Sequence, residues 1–195
     1  MVTSVKFTSA DLELMPDDGK RYEIIEGELY VSRQPSVAHQ YSCSRLCQFL
    51  GDWNDKNGLG VVLTAPGLIF GEGDDVAPDV VWVTRERLAL ATDTAGHLLT
   101  APELVIEVLS PGKANEDRDR RVKLKLYSRQ GVHEYWIVDV MLQQISVYRR
   151  DDERLVLDRT LHADDALESP LLPGFSCKVA KLFFSSSAPL DSGSV

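Results

Sequence analysis

Two almost unbroken apolar runs constrain this chain more than anything else in it. They are Leu104-Val105-Ile106-Glu107-Val108-Leu109 and Tyr135-Trp136-Ile137-Val138, joined by a charge-rich, helix-prone stretch that stops at Gly131. Strands apolar at consecutive positions have both faces covered, as in sheets sandwiched by helices. Two such strands linked through a helix form a crossover unit. The expected fold is therefore α/β, or α+β if hairpins dominate, with a central mixed β-sheet flanked by helices. One residue contradicts the apolar pattern. An ionised Glu107 inside such a strand is costly unless it is paired or holds a metal.

A second acid opens another β-prone run, Pro78-Asp79-Val80-Val81-Trp82-Val83. A lysine joins them from the helix expected between Gly112 or Asn115 and Gln130. At about 100° per residue, Asp119, Lys123 and Tyr127 form one stripe beside Val122 and Leu126, whereas Lys125 points away with Arg121. Lys123 is thus aimed at the sheet that carries Glu107. Two carboxylates with a lysine suit a divalent-cation site in which the lysine orients or deprotonates water, or offsets developing negative charge. Phosphodiester hydrolysis uses that chemistry. The plainer alternatives are a structural salt bridge for Glu107 and a Lys123 that snorkels to solvent.

Hard oxygen ligands without a Cys/His cluster favour Mg²⁺ or Mn²⁺ over Zn²⁺. His39, His97, His133 and His162 are scattered, and His39 is expected to cap or hydrogen-bond near the start of a long helix. Cys43 and Cys47 stand four apart on that helix, a spacing that reads as packing; with Cys177 they make an odd set and suggest a reduced, cytoplasmic protein. Gly71-Glu72-Gly73 lacks the third glycine and following helix of a phosphate loop, and no serine sits in a nucleophile elbow. The N-terminal residues lack the apolar segment of a secretory signal, and no apolar run is long enough to span a membrane.

The 195 residues suit a single domain, taken here as residues 1–184, with a Ser-rich tail at 185–195 expected to be disordered. Further elements are read as a short helix after Thr8, a hairpin around Glu26-Gly27 and a long helix from Ser36 to about Lys56. Strands at 61–64 and 68–70, a loop holding Asp74 and Asp75, a helix over 85–91 and polar-flanked strands at 145–148 and 155–157 complete the reading. The net charge of −9 argues against strong nonspecific attraction to nucleic acid. Seven basic residues against three acids between Lys113 and Arg129 nevertheless make that segment +4. Such a patch either contacts phosphates or is a solvated helix face.

These residues resemble the Uma family within the PD-(D/E)XK, restriction-endonuclease-like superfamily. The likeness runs in order through Arg21-Tyr22-Glu23-Ile24-Ile25-Glu26-Gly27, Ala77-Pro78-Asp79-Val80 and Pro102 to Pro111. It continues through Asp119, Lys123 and Tyr127 to Gly131-Val132-His133-Glu134-Tyr135-Trp136-Ile137-Val138-Asp139. It implies a restriction-endonuclease-like core and a metal-dependent DNA endonuclease. Asp79, Glu107 and the Val108 carbonyl would hold Mg²⁺ or Mn²⁺, and Glu23 would complete the acidic cluster. Tyr127 and Asp119 would orient Lys123. In the wider superfamily the lysine stands two residues after the acid on the same strand, where this chain has Leu109, so Lys123 looks like a migrated replacement. Analogy with restriction enzymes suggests a homodimer. The competing expectation is a non-catalytic binding or regulatory protein on a degenerate nuclease fold.

Overall fold

The computed structural model describes residues 5–184; the tail expected at 185–195 lies outside them. From the N-terminus, helix α1 (Ser9–Leu12) precedes strands β1 (Arg21–Ile25) and β2 (Glu28–Ser32), then the long helix α2 (Val37–Asn57). Strands β3 (Gly60–Thr64), β4 (Leu68–Gly71), β5 (Asp74–Val76) and β6 (Val80–Thr84) lead to α3 (Arg85–Leu90) and β7 (Leu104–Val108). A helical passage follows in three parts, α4 (Lys113–Asp117), a π-helical turn (Arg118–Lys123) and α5 (Leu124–Gln130). Strands β8 (Glu134–Asp139), β9 (Gln144–Asp151) and β10 (Arg154–Leu161), the small hairpin β11 (Ala166–Glu168) and β12 (Ser176–Lys178), and a 3₁₀ turn (Val179–Leu182) complete it.

The central sheet has the order β10-β9-β8-β7-β6-β3. Its sole parallel pair is β7 with β8, the two apolar strands joined by the helical crossover, and every other pair is antiparallel. The sheet is therefore mixed, as expected. Alternation along β7 sorts its side chains onto two faces. Leu104, Ile106 and Val108 join Leu46, Leu50 and Trp53 of α2 in one core, while Val105 and Leu109 pack with Leu126 and Tyr127 of α5 in the other.

A second sheet, β2-β1-β5-β4, stands beside that second core. Its leading hairpin turns at Glu26 and Gly27, whose φ values of 53° and 75° are both positive. Turns of that handedness match the twist of paired strands. One expectation needs correction. Asp74 and Asp75 lie on β5, not in a loop, because β5 pairs with both β4 and β1. The strands expected at 61–64 and 68–70 are both present, as β3 and β4, and they join different sheets. The hairpin β11–β12 has no counterpart among the expected elements; its short runs (Ala-Leu-Glu and Ser-Cys-Lys) carry too little alternation to stand out.

Helix α2 begins and ends where its chemistry dictates. The Ser36 hydroxyl accepts from the amide of His39 at 3.2 Å, an N-cap bond. Gly58 closes the helix in the left-handed conformation (φ 67°). No described helix is long and apolar enough to cross a membrane.

Most of the basic segment is not a free patch. Lys125 and Arg129 bind Glu26, Arg129 also reaches Asp74, Arg120 binds Asp139, and Arg118 and Lys123 are buried among acids. The +4 charge read from the sequence is largely absorbed by acids distant in the chain. It ties the crossover helix to the β1–β2 hairpin and to β8.

Candidate active site

The register of β6 on β7 sets the two acids side by side. Val81 faces Val105 and Val80 faces Ile106, so one residue further brings Asp79 opposite Glu107. The Val108 amide donates to Asp79 Oδ2 at 2.9 Å, closing this corner of the sheet. Asp79 lies just before β6 instead of opening it, which frees its side chain from the ladder. His39 Nε2 stands 3.2 Å from the same oxygen, and Arg21 Nη1 donates to Oδ1 at 3.0 Å. These partners hold the Asp79 carboxyl well below the usual range, although burial works in the opposite direction.

Lys123 points inward and is fully buried. Its Nζ donates to Glu107 Oε1 at 2.9 Å and to Glu23 Oε1 at 2.8 Å, with Asp119 Oδ1 at 4.0 Å. The Tyr127 hydroxyl donates to Glu107 Oε1 at 2.9 Å. Glu23 Oε1 also accepts from the Ala77 amide at 3.0 Å. The π-helical turn explains how so many charges face one way. Wider winding lets Arg118, Asp119 and Lys123 all turn inward, and such turns often occur at functional sites. Arg118 Nε then donates to Asp119 Oδ1 at 2.8 Å, with its Nη1 bonded to the Ser32 hydroxyl and 3.8 Å from Glu23.

Four buried carboxyls (Glu23, Asp79, Glu107 and Asp119) thus face three permanent cations, Lys123, Arg118 and Arg21. One negative charge is left over, and Glu107 bears the consequence. Burial, together with Asp79, Asp119 and Glu23, pushes its carboxyl up to about 8 despite Lys123. Glu23 goes the other way: burial alone would raise it, but Lys123 and Arg118 hold it down. The Lys123 ammonium is itself raised, because Glu107, Glu23 and Asp119 outweigh its burial.

Asp79, Glu107 and Val108 open onto one cavity of about 210 Å³, with His39 on its wall and Lys20, Arg21, Arg33 and Gln34 around it. Glu23, Asp119, Tyr127 and Lys123 stand behind this surface and do not line it. The structure therefore gathers every site residue expected from the sequence into one cluster, in two tiers.

Three side chains are not placed at the site by the sequence reading, although His39 is expected there to hydrogen-bond. Arg21 and His39 reach Asp79 from elements far away in sequence, and Arg118 reads there as part of a surface patch. The four-residue spacing of His39 and Cys43 on one helix is the available signal; the equal spacing of Cys43 and Cys47 obscures it.

A mixed sheet bearing neighbouring acids at one strand end, backed by a buried lysine, is the arrangement that the sequence resemblance to restriction-endonuclease-like proteins implies. The chain belongs to the Uma2 family, described as "Putative restriction endonuclease", whose sequence pattern matches residues 9–180. In fold it is similar to a putative nuclease of the DUF820 group from Anabaena variabilis, at a TM-score of 0.71 and 18% identity. That match covers 91% of this chain and 97% of the other. A weaker similarity, with a TM-score of 0.40 and 18% identity, links 74% of this chain to 14% of the type IIG restriction endonuclease BpuSI. Among curated proteins none matches.

Proposed function

We propose that the protein is a Mg²⁺- or Mn²⁺-dependent endonuclease that hydrolyses phosphodiester bonds of DNA. The observation that carries this reading is the charge arrangement of one cavity. Two carboxyls and a strand-end backbone form its floor, burial and neighbouring acids disfavour the charged form of one of them, Glu107, and lysine and arginine ring its wall. A ligand that is anionic outside and brings a cation inside satisfies both tiers, as a metal-bound phosphodiester does.

The donors fit a hard cation. Asp79, Glu107 and the Val108 carbonyl would supply oxygens only, the preference of Mg²⁺ and Mn²⁺. Glu107 Oε1 is committed to Lys123 and Tyr127, which leaves Oε2 for the ion. A divalent ion bound there would lower the pKa of a water and polarise the phosphate. Lys123 is suited to electrostatic support more than to accepting a proton, since the surrounding carboxylates favour its ammonium form. It fixes the Glu107 carboxylate and places a permanent positive charge behind the reacting centre. Glu23 and Asp119 position Lys123, Tyr127 orients Glu107, and Arg21 holds Asp79 from the substrate side.

The test is cleavage of plasmid and single-stranded DNA by wild type and Asp79→Asn, with Mn²⁺ binding followed separately. Asparagine keeps an acceptor for the Val108 amide, so the fold is expected to survive. Cleavage should fall to the metal-free level and Mn²⁺ affinity should drop. Cleavage retained by Asp79→Asn would remove this residue from the site. Mn²⁺ binding by wild type with no cleavage of any nucleic acid would favour a binding protein on a nuclease scaffold.

The rim makes a separate prediction. Arg33 has no acidic partner among the described residues, and Lys20 pairs only with exposed Asp18. Replacing both with alanine should raise KM for DNA while kcat and Mn²⁺ affinity stay near wild type. The slope of log affinity against log salt should flatten by about 0.9 for each duplex phosphate that the variant no longer neutralises. An unchanged KM and slope would place the nucleic acid on another face.

A further inference from the structure

We propose that His39, Cys43 and Asp79 form a second cation site, for a thiophilic divalent ion of the Zn²⁺ type. It shares Asp79 with the hard-cation site and therefore makes the two mutually exclusive. The three residues are buried, and one donor atom from each lies within 4.8 Å of the others. His39 and Cys43 are adjacent because four residues make about one turn of α2. Asp79 meets them because the first turn of that helix stands against the residue that leads into β6.

The donors are a thiol sulfur, an imidazole nitrogen and a carboxylate oxygen. That set suits zinc and poorly suits magnesium. The spacing agrees. Zn–S and Zn–N bonds of about 2.3 and 2.05 Å at a tetrahedral angle separate sulfur from nitrogen by about 3.6 Å. Cys43 Sγ and His39 Nδ1 are 3.6 Å apart. At present the imidazole links the thiol to Asp79 Oδ2. An ion binds only one ring nitrogen, so it would replace this two-sided link, with the imidazole or the Asp79 carboxylate turning to bring its donor to the same side. Three protein donors leave a fourth tetrahedral position open. His39 and Asp79 line the cavity while Cys43 does not, so solvent-borne ions have an entry path to two of the three donors.

The result is a switch by ion identity. Divalent affinities for sites containing nitrogen and sulfur rise steeply from Mn²⁺ to Zn²⁺. A trace thiophilic ion would therefore capture Asp79 even where Mg²⁺ is abundant. The thiolate site itself stands independently of the proposed nuclease activity; only the exclusion rests on Asp79 also serving the hard cation.

Cobalt makes the test spectroscopic. The full-length reduced protein would be titrated anaerobically with Co²⁺, reading the near-ultraviolet thiolate-to-cobalt charge-transfer band. One equivalent should give the band, and Zn²⁺ should abolish it. Cys43→Ser and His39→Ala should lack it, while Cys47→Ser and Cys177→Ser keep it. No band in wild type, or a band that survives Cys43→Ser, overturns the site whatever the variants do to folding. In parallel, Mn²⁺ binding followed by electron paramagnetic resonance should be blocked by one equivalent of Zn²⁺ in wild type but not in Cys43→Ser. Simultaneous binding of Zn²⁺ and Mn²⁺ overturns the exclusion. Failure of Mn²⁺ to bind even without Zn²⁺ counts against the hard-cation reading, and the exclusion falls with it, while the cobalt band still decides the thiolate site.

Discussion

Lys123→Ala is expected to cost about 3–5 kcal/mol of stability at neutral pH, the range for breaking a buried ion pair from one side. It should also reduce metal-dependent cleavage to background. The ammonium is fully buried and is the shared partner of Glu23 and Glu107. Removing it leaves four buried carboxyls facing two arginines. Glu23 is the more exposed to this loss, because its lowered pKa depends on Lys123 first and Arg118 second against its burial. The sign with pH follows. A depressed carboxyl contributes stability above its unfolded pKa and loses it as pH falls through the folded value. The gap between wild type and Lys123→Ala in denaturant midpoint should therefore be wide at pH 7 and narrow on acidification below about 4.5. Without Lys123 the buried Glu107 carboxyl must hold a proton at pH 7 that the unfolded chain releases, and adding Glu107→Gln removes that cost. The double variant should recover part of the loss, with a coupling energy of about 1–3 kcal/mol. A single-variant cost under about 1 kcal/mol at pH 7 would mean that the ammonium does not hold this cluster together.

The centre of the fold is legible in the chain because both central strands are apolar on both faces, and only a covered sheet accommodates that. Their crossover, the β1–β2 hairpin and the caps of α2 follow from local signals: an acid-glycine turn, a serine, a glycine. The sheet partners of β3, β4 and β5 do not, since pairing across distant segments leaves no mark in local periodicity. The same division runs through the site. Glu107 and Lys123 stand out because their charges contradict their apolar surroundings. Arg118 does not, because an arginine in a charge-rich helix looks solvated until the π-helical turn is known. That turn rotates it inward toward Asp119 and Glu23. His39 reads as a hydrogen-bonding residue, but its partners, Asp79 and Cys43, become apparent only in three dimensions.

Glu107→Gln should separate function from stability in opposite directions. Glutamine keeps an oxygen for the Lys123 and Tyr127 hydrogen bonds and directs its amide toward the cavity. It also removes the one charge that the three cations do not balance. Wild-type Glu107 has a folded pKa of about 8 against an ordinary 4.5. The folded state therefore holds an extra proton between those values, and stability without metal falls as pH rises through that window. Each unit of separation is worth about 1.4 kcal/mol, so the decline amounts to a few kcal/mol. Glutamine cannot titrate. The metal-free variant should match wild type near pH 4 and melt higher than wild type at pH 9. Its Mn²⁺ affinity should drop and its cleavage should vanish. At the proposed ion site the same proton would link binding to pH in wild type. Below about pH 8 the ion must displace it, so Mn²⁺ affinity should rise by up to about tenfold per pH unit and then level off. Calorimetry in buffers of different ionisation enthalpy would count the released proton directly, at close to one for wild type near pH 7 and none for Glu107→Gln. A flat affinity between pH 6 and 8, or a variant less stable than wild type at pH 9, would show that Glu107 is not the carboxyl left without a cation.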